Sequence, residues 1–372
     1  MTEWQILYSE NHNKTRLMDR YLNINLMKIK HIIILALSLL TISTGCHSKS
    51  SSDSKTESSE AHHLKEKGPE IGKRMPGGME RPKPSPELQA LIDETVPYFT
   101  HNYYARVKND TLQYNFFIPK NMKENEKYPL VLFMADASTP GPDVLTPLTQ
   151  GYGGLVWAAP DFQKEHPCFV VVPQYSYVTV NNKWKTTQEV DQTIDLLKDI
   201  IESYPVDENR IYTTGQSMGC MMSLYFNIKY PDMFAASLFV SGQWDVAKMK
   251  DFKNKKFIYI TAQGDSTSTG GADELKRLLK KEDSKFAEGL WSARLPETQQ
   301  DSLANILLSK GYERNFITFE GNSVLPENIT DPQGAMVHMA SFNYAYKLKP
   351  VTEWLMKQSK TPSHKSSSTE SK

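Results

Sequence analysis

Residues 210–219 read Arg210-Ile-Tyr-Thr-Thr-Gly-Gln-Ser-Met-Gly219, and residues 220–230 continue as Cys220-Met-Met-Ser-Leu-Tyr-Phe-Asn-Ile-Lys-Tyr230 before Pro231. A run of strand length thus enters Gly-x-Ser-x-Gly and leaves as a segment of helix length that a proline ends. This order is the context of a nucleophile elbow, a strained turn that exposes one serine at the end of a strand. The sequence therefore predicts Ser217 as a nucleophile, with Gly215 and Gly219 making room for its neighbours.

Apolar runs of strand length alternate with amphipathic stretches of helix length on both sides of this motif. Such alternation predicts the α/β class, with a mainly parallel central sheet and helices on both faces. An antiparallel hairpin around Asn109-Asp110 is expected at the N-terminal edge of the sheet. The candidate strands are Asn102 to Lys108, Thr111 to Ile118, Leu130 to Met134, Phe169 to Val172, Arg210 to Thr214, Ser237 to Val240, Phe257 to Ala262 and Asn315 to Phe319.

Two longer segments carry further expectations. Thr186 to Tyr204 has one apolar stripe and is followed by Pro205, and Thr186 and Glu189 have the spacing of a capping box. The segment from Ser266 to Glu313 is long for a connection between strands. We expect it to fold over the site as a partial lid.

A serine hydroxyl needs a base to take its proton, and the base needs a carboxylate to hold its tautomer. Six of the nine histidines lie in the leader or tails, which leaves His101, His166 and His338. Proteins with this elbow carry the three residues in the chain order serine, acid, histidine, and His338 alone follows Ser217. His338 is therefore the predicted base.

The acid is expected just after the strand that follows Val240. Asp265 ends the run Phe257-Ile-Tyr-Ile-Thr-Ala-Gln-Gly-Asp265 and would lie at the carboxyl edge of the sheet, where open α/β sheets gather their sites. Asp273 and Asp331 are the alternatives. Asp273 reads as part of the first turn of a helix, where an acid is expected for capping alone.

The oxyanion of an acyl-transfer intermediate needs two N–H donors. One predicted donor is the backbone N–H of Met218, and the other is the N–H of Ala137, after the strand that ends at Met134. Enzymes of this type commonly have His-Gly in that turn, whereas this chain has Ala135-Asp136. The sequence leaves open whether the turn still forms an oxyanion hole.

Lysine plus arginine and aspartate plus glutamate both number 43, so the net charge of zero does not favour nucleic acid as a partner. The three cysteines, Cys46, Cys168 and Cys220, have no metal-site spacing. Cys168 and Cys220 lie in apolar runs, which favours two buried free thiols over a disulfide.

The N-terminal region predicts export. Basic residues after Met27, an apolar run from Ile32 to Leu40 and small residues before Cys46 resemble a bacterial lipoprotein signal, with Met27 as the true start and Cys46 lipidated. Residues 1–46 are thus a leader, 47–85 a disordered tether, 86–358 the folded domain and 359–372 a disordered tail. The expected location is the cell envelope, membrane-anchored and facing the periplasm or the exterior.

Several stretches resemble a bacterial family of predicted peptidases, which is related to polyhydroxybutyrate depolymerase-like and feruloyl esterase-like α/β-hydrolases. The resemblance covers roughly residues 100–358 and is carried by Tyr204-Pro-Val-Asp-Glu-Asn-Arg through Gly219, Tyr230-Pro-Asp-Met-Phe-Ala-Ala236, Val240-Ser-Gly-Gln-Trp244, Gly264-Asp265 and His338-Met-Ala-Ser-Phe. It implies the α/β-hydrolase fold, with Ser217, Asp265 and His338 as nucleophile, acid and base. Cys220 departs from a glycine that is common in the family.

These residues predict a serine hydrolase that cleaves carboxylic esters through an acyl-serine intermediate and needs no metal or organic cofactor. The resemblance implies acyl or feruloyl esters, as small molecules or on polysaccharides. Two alternatives are open: a serine peptidase with the same triad, and a catalytically weakened glycan-binding lipoprotein. Trp157, Trp244 and Trp291 are candidate substrate-binding residues, beside Trp184, because indole rings stack on sugars and aryl groups. The sequence leaves the oligomeric state open.

Overall fold

The computed structural model describes residues 83–107, 110–329, 331 and 334–360. The predicted leader with Cys46, the tether as far as residue 82 and the tail from residue 361 lie outside this part of the chain. In the described ranges, no helix is long and apolar enough to span a bilayer.

A single nine-stranded sheet organises the described residues, in the order β1-β2-β4-β3-β5-β6-β7-β9-β8. The strands β1 and β2 form an antiparallel hairpin, and β2 also pairs antiparallel with β4. The remaining neighbours pair in parallel. The strands are β1 Thr100–Val107, β2 Asp110–Phe117, β3 Tyr128–Met134, β4 Phe169–Gln174, β5 Val206–Gln216, β6 Ala236–Val240, β7 Phe257–Ala262, β8 Ala287–Trp291 and β9 Arg314–Phe319.

Helices cover both faces of the sheet. The helices are α1 Pro86–Thr95, α2 Thr146–Thr149, α3 Pro160–Glu165, α4 Gln188–Ser203, α5 Met218–Lys229, α6 Ser266–Lys281, α7 Glu297–Leu308, α8 Ala335–Lys347 and α9 Lys349–Met356, with short 3₁₀ helices at Val96–Tyr98, Val246–Lys248 and Lys250–Asn254. One apolar layer joins the sheet to α1, α7, α8 and α9, and the other joins it to α4, α5 and α6. The predicted α/β-hydrolase architecture is confirmed.

Burial explains why the central strands form. Every residue of β3, β4, β6 and β7 is buried, as expected for strands whose two faces are both covered by helices. All eight candidate strands are present, with boundaries that differ by a few residues.

The segment from Ser266 to Glu313 is not a lid, so that expectation is wrong. It forms α6, β8 and α7, which add a ninth strand and its flanking helices to the sheet edge beside β9. The strand β8 alternates between buried and exposed positions because it is an edge strand, and this short alternation gives a weak sequence signal.

The predicted capping box at α4 does not form either. The N-cap is Thr187, whose side chain makes no capping bond. The Glu189 carboxylate instead accepts a hydrogen bond from the Ser176 N–H, with an Oε1–N distance of 3.1 Å. Glu189 thereby fastens α4 to the loop that follows β4.

Candidate active site

The chain makes a strained turn at Ser217, between β5 and α5. Ser217 has φ 51° and ψ −115°, a conformation that residues other than glycine rarely adopt. Its N–H donates to the Val240 carbonyl at 3.0 Å, which fixes the turn against the end of β6. This is the geometry of a nucleophile elbow.

The two glycines of the motif are required by close packing. A β-carbon at Gly219 would lie 1.9 Å from the Met134 carbonyl oxygen, and one at Gly215 would lie 2.4 Å from the Gly219 carbonyl carbon. Real β-carbons essentially never approach other atoms below 3.0 Å. Both positions therefore need glycine so that α5 can start directly against β3 and β5.

The structure brings the three predicted catalytic side chains into one hydrogen-bonded chain. His338 Nε2 lies 2.8 Å from Ser217 Oγ, and His338 Nδ1 lies 2.6 Å from Asp265 Oδ2. An ionised carboxylate only accepts hydrogen bonds, so Nδ1 carries the proton and Nε2 is left as the acceptor for the serine hydroxyl. This tautomer is the one that a general base next to Ser217 requires.

Asp265 is held by its position at the start of α6. It is the N-cap of this helix, and its Oδ1 accepts from the Ser268 N–H at 3.2 Å while Oδ2 faces His338. Burial would raise the pKa of Asp265, but the hydrogen bond and charge of His338 and the Ser268 N–H outweigh it and lower that pKa below its ordinary 3.8. Asp265 is therefore ionised at neutral pH.

Two glycines let the acid turn and the histidine helix approach each other. A β-carbon at Gly334 would lie 2.3 Å from the Gly264 carbonyl oxygen, and Gly334 has φ 72°. A β-carbon at Gly264 would collide with the Asn322 side chain at 2.1 Å. Because the two backbones touch here, Asp265 reaches His338 across 73 residues of sequence.

His338 lies in the first turns of α8, held from two sides. Its carbonyl accepts a hydrogen bond from the Ser341 hydroxyl at 2.7 Å, and that hydroxyl also lies 2.7 Å from Ser241 Oγ at the end of β6. Its ring packs edge-on against Phe342, with centroids 5.0 Å apart. Neither serine was assigned a role from the sequence, although both lie in stretches that carry the family resemblance, and this was the signal that could have found them.

The alternative acids have other partners. Asp331 Oδ2 accepts from the Val337 N–H at 2.8 Å and so caps the start of α8. Asp273 lies inside α6 rather than in a first turn, and its carboxylate pairs with the Lys276 ammonium at 2.7 Å. The structure thus places Asp265, and neither alternative, against His338.

The two remaining candidate histidines lie away from this chain of contacts. His101 belongs to the edge strand β1 and bonds the Asn115 side chain at 2.6 Å. His166 ends α3 and packs against the Phe162 ring at 5.2 Å. Each of these histidines therefore has a structural partner away from Ser217.

The structure leaves the N–H groups of both predicted oxyanion donors without an acceptor in the described residues. Met218 is the first residue of α5, so its N–H has no acceptor within the helix. Within the described residues, neither the Met218 N–H nor the Ala137 N–H donates to any acceptor. The turn after β3 thus keeps a free backbone donor although it lacks His-Gly.

The predicted tryptophans do not line the site as expected. Trp157 is fully buried and donates its indole N–H to the Gly153 carbonyl at 2.8 Å, so its prediction as a substrate-binding residue is wrong. Trp291 is buried beneath Phe319 and is wrong for the same reason: a covered ring offers no stacking face. Trp244 is also buried, against Tyr225 and the half-buried Trp184, so its prediction is wrong as well.

Cys168 and Cys220 are buried, free thiols, as predicted. Burial raises the pKa of the Cys168 thiol to about 12, which makes it unreactive at neutral pH. Cys220 fits where a glycine is common because Gly242 faces it, and a β-carbon at Gly242 would lie 2.6 Å from the Cys220 β-carbon. The departure at Cys220 is absorbed by local packing.

Comparison with known proteins supports this assignment of the fold. The model of the prolyl oligopeptidase family matches residues 176–278, a stretch that includes Ser217 and Asp265. A search of curated protein sequences finds no match.

Solved structures of similar fold include a thermostable esterase, with a TM-score of 0.56 and 24% identity over 73% of this chain and 64% of that chain. This chain thus spans less than two thirds of the esterase's length. A ferulic acid esterase from Anaeromyces mucronatus matches with a TM-score of 0.42 and 14% identity, over 67% of this chain and 90% of that one. A fluorophosphonate-binding serine hydrolase of Staphylococcus aureus gives 0.39 and 12%, over 69% and 98%. The chain therefore has the α/β-hydrolase fold, with a nucleophile elbow and three hydrogen-bonded side chains in the arrangement that serine hydrolases use.

Proposed function

We propose that this protein hydrolyses carboxylic esters through an acyl-serine intermediate. The observation that carries the proposal is the unbroken contact from Ser217 through His338 to Asp265. A serine becomes a competent nucleophile when a positioned base takes its proton and a carboxylate stabilises the resulting imidazolium. All three groups are in place.

The proposed reaction has two stages, acylation of Ser217 and hydrolysis of the acyl-serine. Ser217 Oγ attacks the acyl carbon while His338 Nε2 takes the hydroxyl proton, and the oxyanion is received by the N–H groups of Met218 and Ala137. The imidazolium then protonates the leaving alcohol as the acyl–oxygen bond breaks. Water, activated by the same nitrogen, attacks the acyl-serine and releases the acid.

Ester cleavage is favoured because it makes the smaller demand on the site. An alcohol leaves more readily than an amine, so an ester needs less complete protonation of its leaving group. The His338 side chain is 25% exposed. A base that solvent can reach suits a bulky or surface-linked ester.

A serine peptidase is the second candidate. The match of residues 176–278 to the prolyl oligopeptidase family favours it, because that stretch includes the nucleophile and the acid. The same triad can cleave both bonds, so the choice depends on the pocket and on how the leaving group is protonated. Comparing turnover of ester and amide substrates distinguishes the two activities.

The glycan-binding alternative loses its main motive. It rested on the concern that Asp136 disrupts the oxyanion turn, whereas the turn keeps the Ala137 N–H unbonded within the described chain.

Trp184 is the remaining candidate for stacking on a substrate ring. It has φ 61° and shares an aromatic cluster with Trp244. Its loop reaches the nucleophile through Thr179, whose N–H lies 3.4 Å from Met218 Sδ. We propose Trp184 as a contact for aryl acyl groups or sugars.

We further propose that the protein is exported and anchored through a lipid on Cys46, which fits an extracellular or periplasmic ester such as an acyl or feruloyl group on a polysaccharide. The support is the signal-like sequence from Met27 to Cys46. Replacing Cys46 with serine should move the protein from the membrane fraction to the soluble envelope fraction. Retention of Cys46→Ser in the membrane fraction would contradict the anchor.

The experiment for the proposed activity uses purified full-length protein. Turnover of p-nitrophenyl acetate, p-nitrophenyl butyrate and methyl ferulate is compared with turnover of aminoacyl p-nitroanilides. Ester turnover that disappears in Ser217→Ala supports the proposal, whereas anilide turnover without ester turnover supports the peptidase.

A further inference from the structure

Asp136 lies in the turn that follows β3. Its side chain is 3% exposed, and a buried carboxylate is unfavourable unless donors satisfy it. Here both oxygens are satisfied. Oδ1 accepts from the Ser138 N–H at 2.8 Å, and Oδ2 accepts from the Gln216 side-chain amide at 3.0 Å.

The partners of this carboxylate are sequence neighbours of a predicted oxyanion donor and of the nucleophile. Ser138 directly follows Ala137, the donor from the β3 turn. Gln216 directly precedes Ser217 and is itself 3% exposed. One carboxylate therefore joins the turn after β3 to the elbow after β5, although Asp136 and Gln216 are 80 residues apart in sequence.

The turn is fastened at its other end as well. The Asp136 carbonyl accepts from the Thr139 N–H at 3.2 Å and from the Thr139 hydroxyl at 2.9 Å. The Gln174 amide, at the end of β4, donates to the carbonyls of Thr139 and Gly141 at 3.0 and 2.9 Å. The contact between Asp136 and Gln216 adds a direct side-chain link from this turn to the elbow.

We propose that Asp136 and Gln216 form a clamp, the contact between their side chains, that positions the Ala137 N–H for the oxyanion. Asp136 is a positioning residue: it touches neither the substrate nor the reacting atoms. Charged hydrogen bonds are stronger than neutral ones, so a carboxylate fixes the turn more firmly than a neutral side chain would. The inference rests on the proposed hydrolase reaction.

The clamp predicts which kinetic constant changes. An oxyanion donor acts in the transition state, so misplacing it lowers kcat and leaves KM nearly unchanged. Loss of a whole donor lowers kcat by about 100-fold to 1,000-fold. We expect a loosened turn to lower kcat by about tenfold or more.

The test compares Asp136→Ala, Asp136→Asn and Gln216→Leu in the full-length protein. We expect Asp136→Ala to lower kcat for p-nitrophenyl butyrate by at least about tenfold with KM within about twofold. Asp136→Asn keeps an acceptor for the Ser138 N–H, and its amide can pair with a turned Gln216 amide, so it should stay within about threefold of wild type. The double variant Asp136→Ala/Gln216→Leu should be no slower than Asp136→Ala, because both changes break one contact.

Asp143→Ala is the matched control. Asp143 also accepts from a backbone N–H two residues on, that of Leu145, and from a side-chain hydroxyl, that of Thr146, but at an exposed site. Its kcat should be that of wild type. Thermal unfolding of every variant separates loss of fold from loss of positioning.

Labelling of Ser217 by a fluorophosphonate gives a second readout that needs no ester. The labelling rate should fall in Asp136→Ala in parallel with kcat, and should recover in Asp136→Asn. If the wild-type protein is labelled but hydrolyses no ester, the proposed function is wrong. The clamp is then tested by the labelling rates alone. Wild-type kcat and labelling in a folded Asp136→Ala, or additive losses in the double variant, would overturn the clamp.

Discussion

Among single residues, Asp265 is important because its carboxylate makes two hydrogen bonds at once. One carboxylate oxygen caps α6 and the other holds His338 Nδ1. The helix therefore fixes the acid, and the acid fixes the tautomer of the base. A change at Asp265 should affect chemistry far more than binding.

Replacing Asp265 with asparagine should lower kcat by about 10⁴-fold, because an amide can present an N–H to Nδ1 and favour the wrong tautomer. Ester turnover measures the effect. Asp273→Asn is the control, since its carboxylate pairs with Lys276 inside α6, and its activity should match that of wild type. Loss of activity in Asp273→Asn with retention in Asp265→Asn would reverse the assignment of the acid.

The elbow glycine Gly219 should be important for stability. Gly219→Ala should lower the free energy of unfolding by about 3 kcal/mol or more, because the added carbon would lie 1.9 Å from the Met134 carbonyl oxygen. Gly270→Ala in α6 meets nothing within 4 Å and should raise that free energy by up to about 1 kcal/mol. Urea denaturation of the two variants measures both changes. Equal stability of the two would show that the elbow is looser than described.

At the scale of elements, two helix starts contrast with each other. The Ser85 side chain caps α1 by accepting from the Leu88 N–H at 3.2 Å, whereas the Thr187 hydroxyl at the start of α4 is buried without a partner in the described structure. The spacing of Thr186 and Glu189 predicted a capping box at α4. In the structure the Glu189 carboxylate instead accepts a hydrogen bond from the Ser176 N–H in the preceding loop.

This contrast predicts opposite outcomes for two conservative changes. Ser85→Ala should lower the free energy of unfolding by about 1 kcal/mol, the usual effect of losing a cap. Thr187→Val should leave it unchanged or raise it, because the change removes a buried unsatisfied hydroxyl. Thermal unfolding of each variant is the measurement, and a clear loss of stability in Thr187→Val would contradict the description of α4.

The sequence predicted those helices, strands and turns whose signals lie within one continuous stretch of chain. The elbow at Ser217 was predictable because strand, motif and helix are contiguous, and the central strands because long apolar runs signal burial on both faces. The strand β8 was missed because an edge strand with Glu288 and Gly289 lacks such a run. The contact of Asp136 with Gln216 could not be predicted, because no sequence pattern links these two residues, which are 80 positions apart.

At the scale of the whole molecule, the triad makes stability depend on pH. The pKa of Asp265 is lower in the folded protein than its ordinary 3.8, so the unfolded state binds more protons in the interval between the two values. The contact of Asp265 with His338 and Ser268 thus contributes stability that is fully present above the ordinary pKa and is lost as the pH falls through the folded one.

The free energy of unfolding should therefore fall on acidification below about pH 4, and it should fall less steeply in Asp265→Asn, which cannot titrate. Urea denaturation at a series of pH values gives the two slopes. Identical slopes in the wild type and in Asp265→Asn would show that Asp265 does not contribute to acid unfolding.

The most direct test of the central claim is to trap the acyl-enzyme. Full-length protein is mixed with p-nitrophenyl butyrate, quenched in acid within the first turnover and digested, and the modified peptide is identified by mass spectrometry. The proposed mechanism predicts a butyryl group on Ser217, formed at the rate of p-nitrophenol release and absent from Ser217→Ala. Hydrolysis that proceeds with the group on another residue, or that continues in Ser217→Ala, would contradict it.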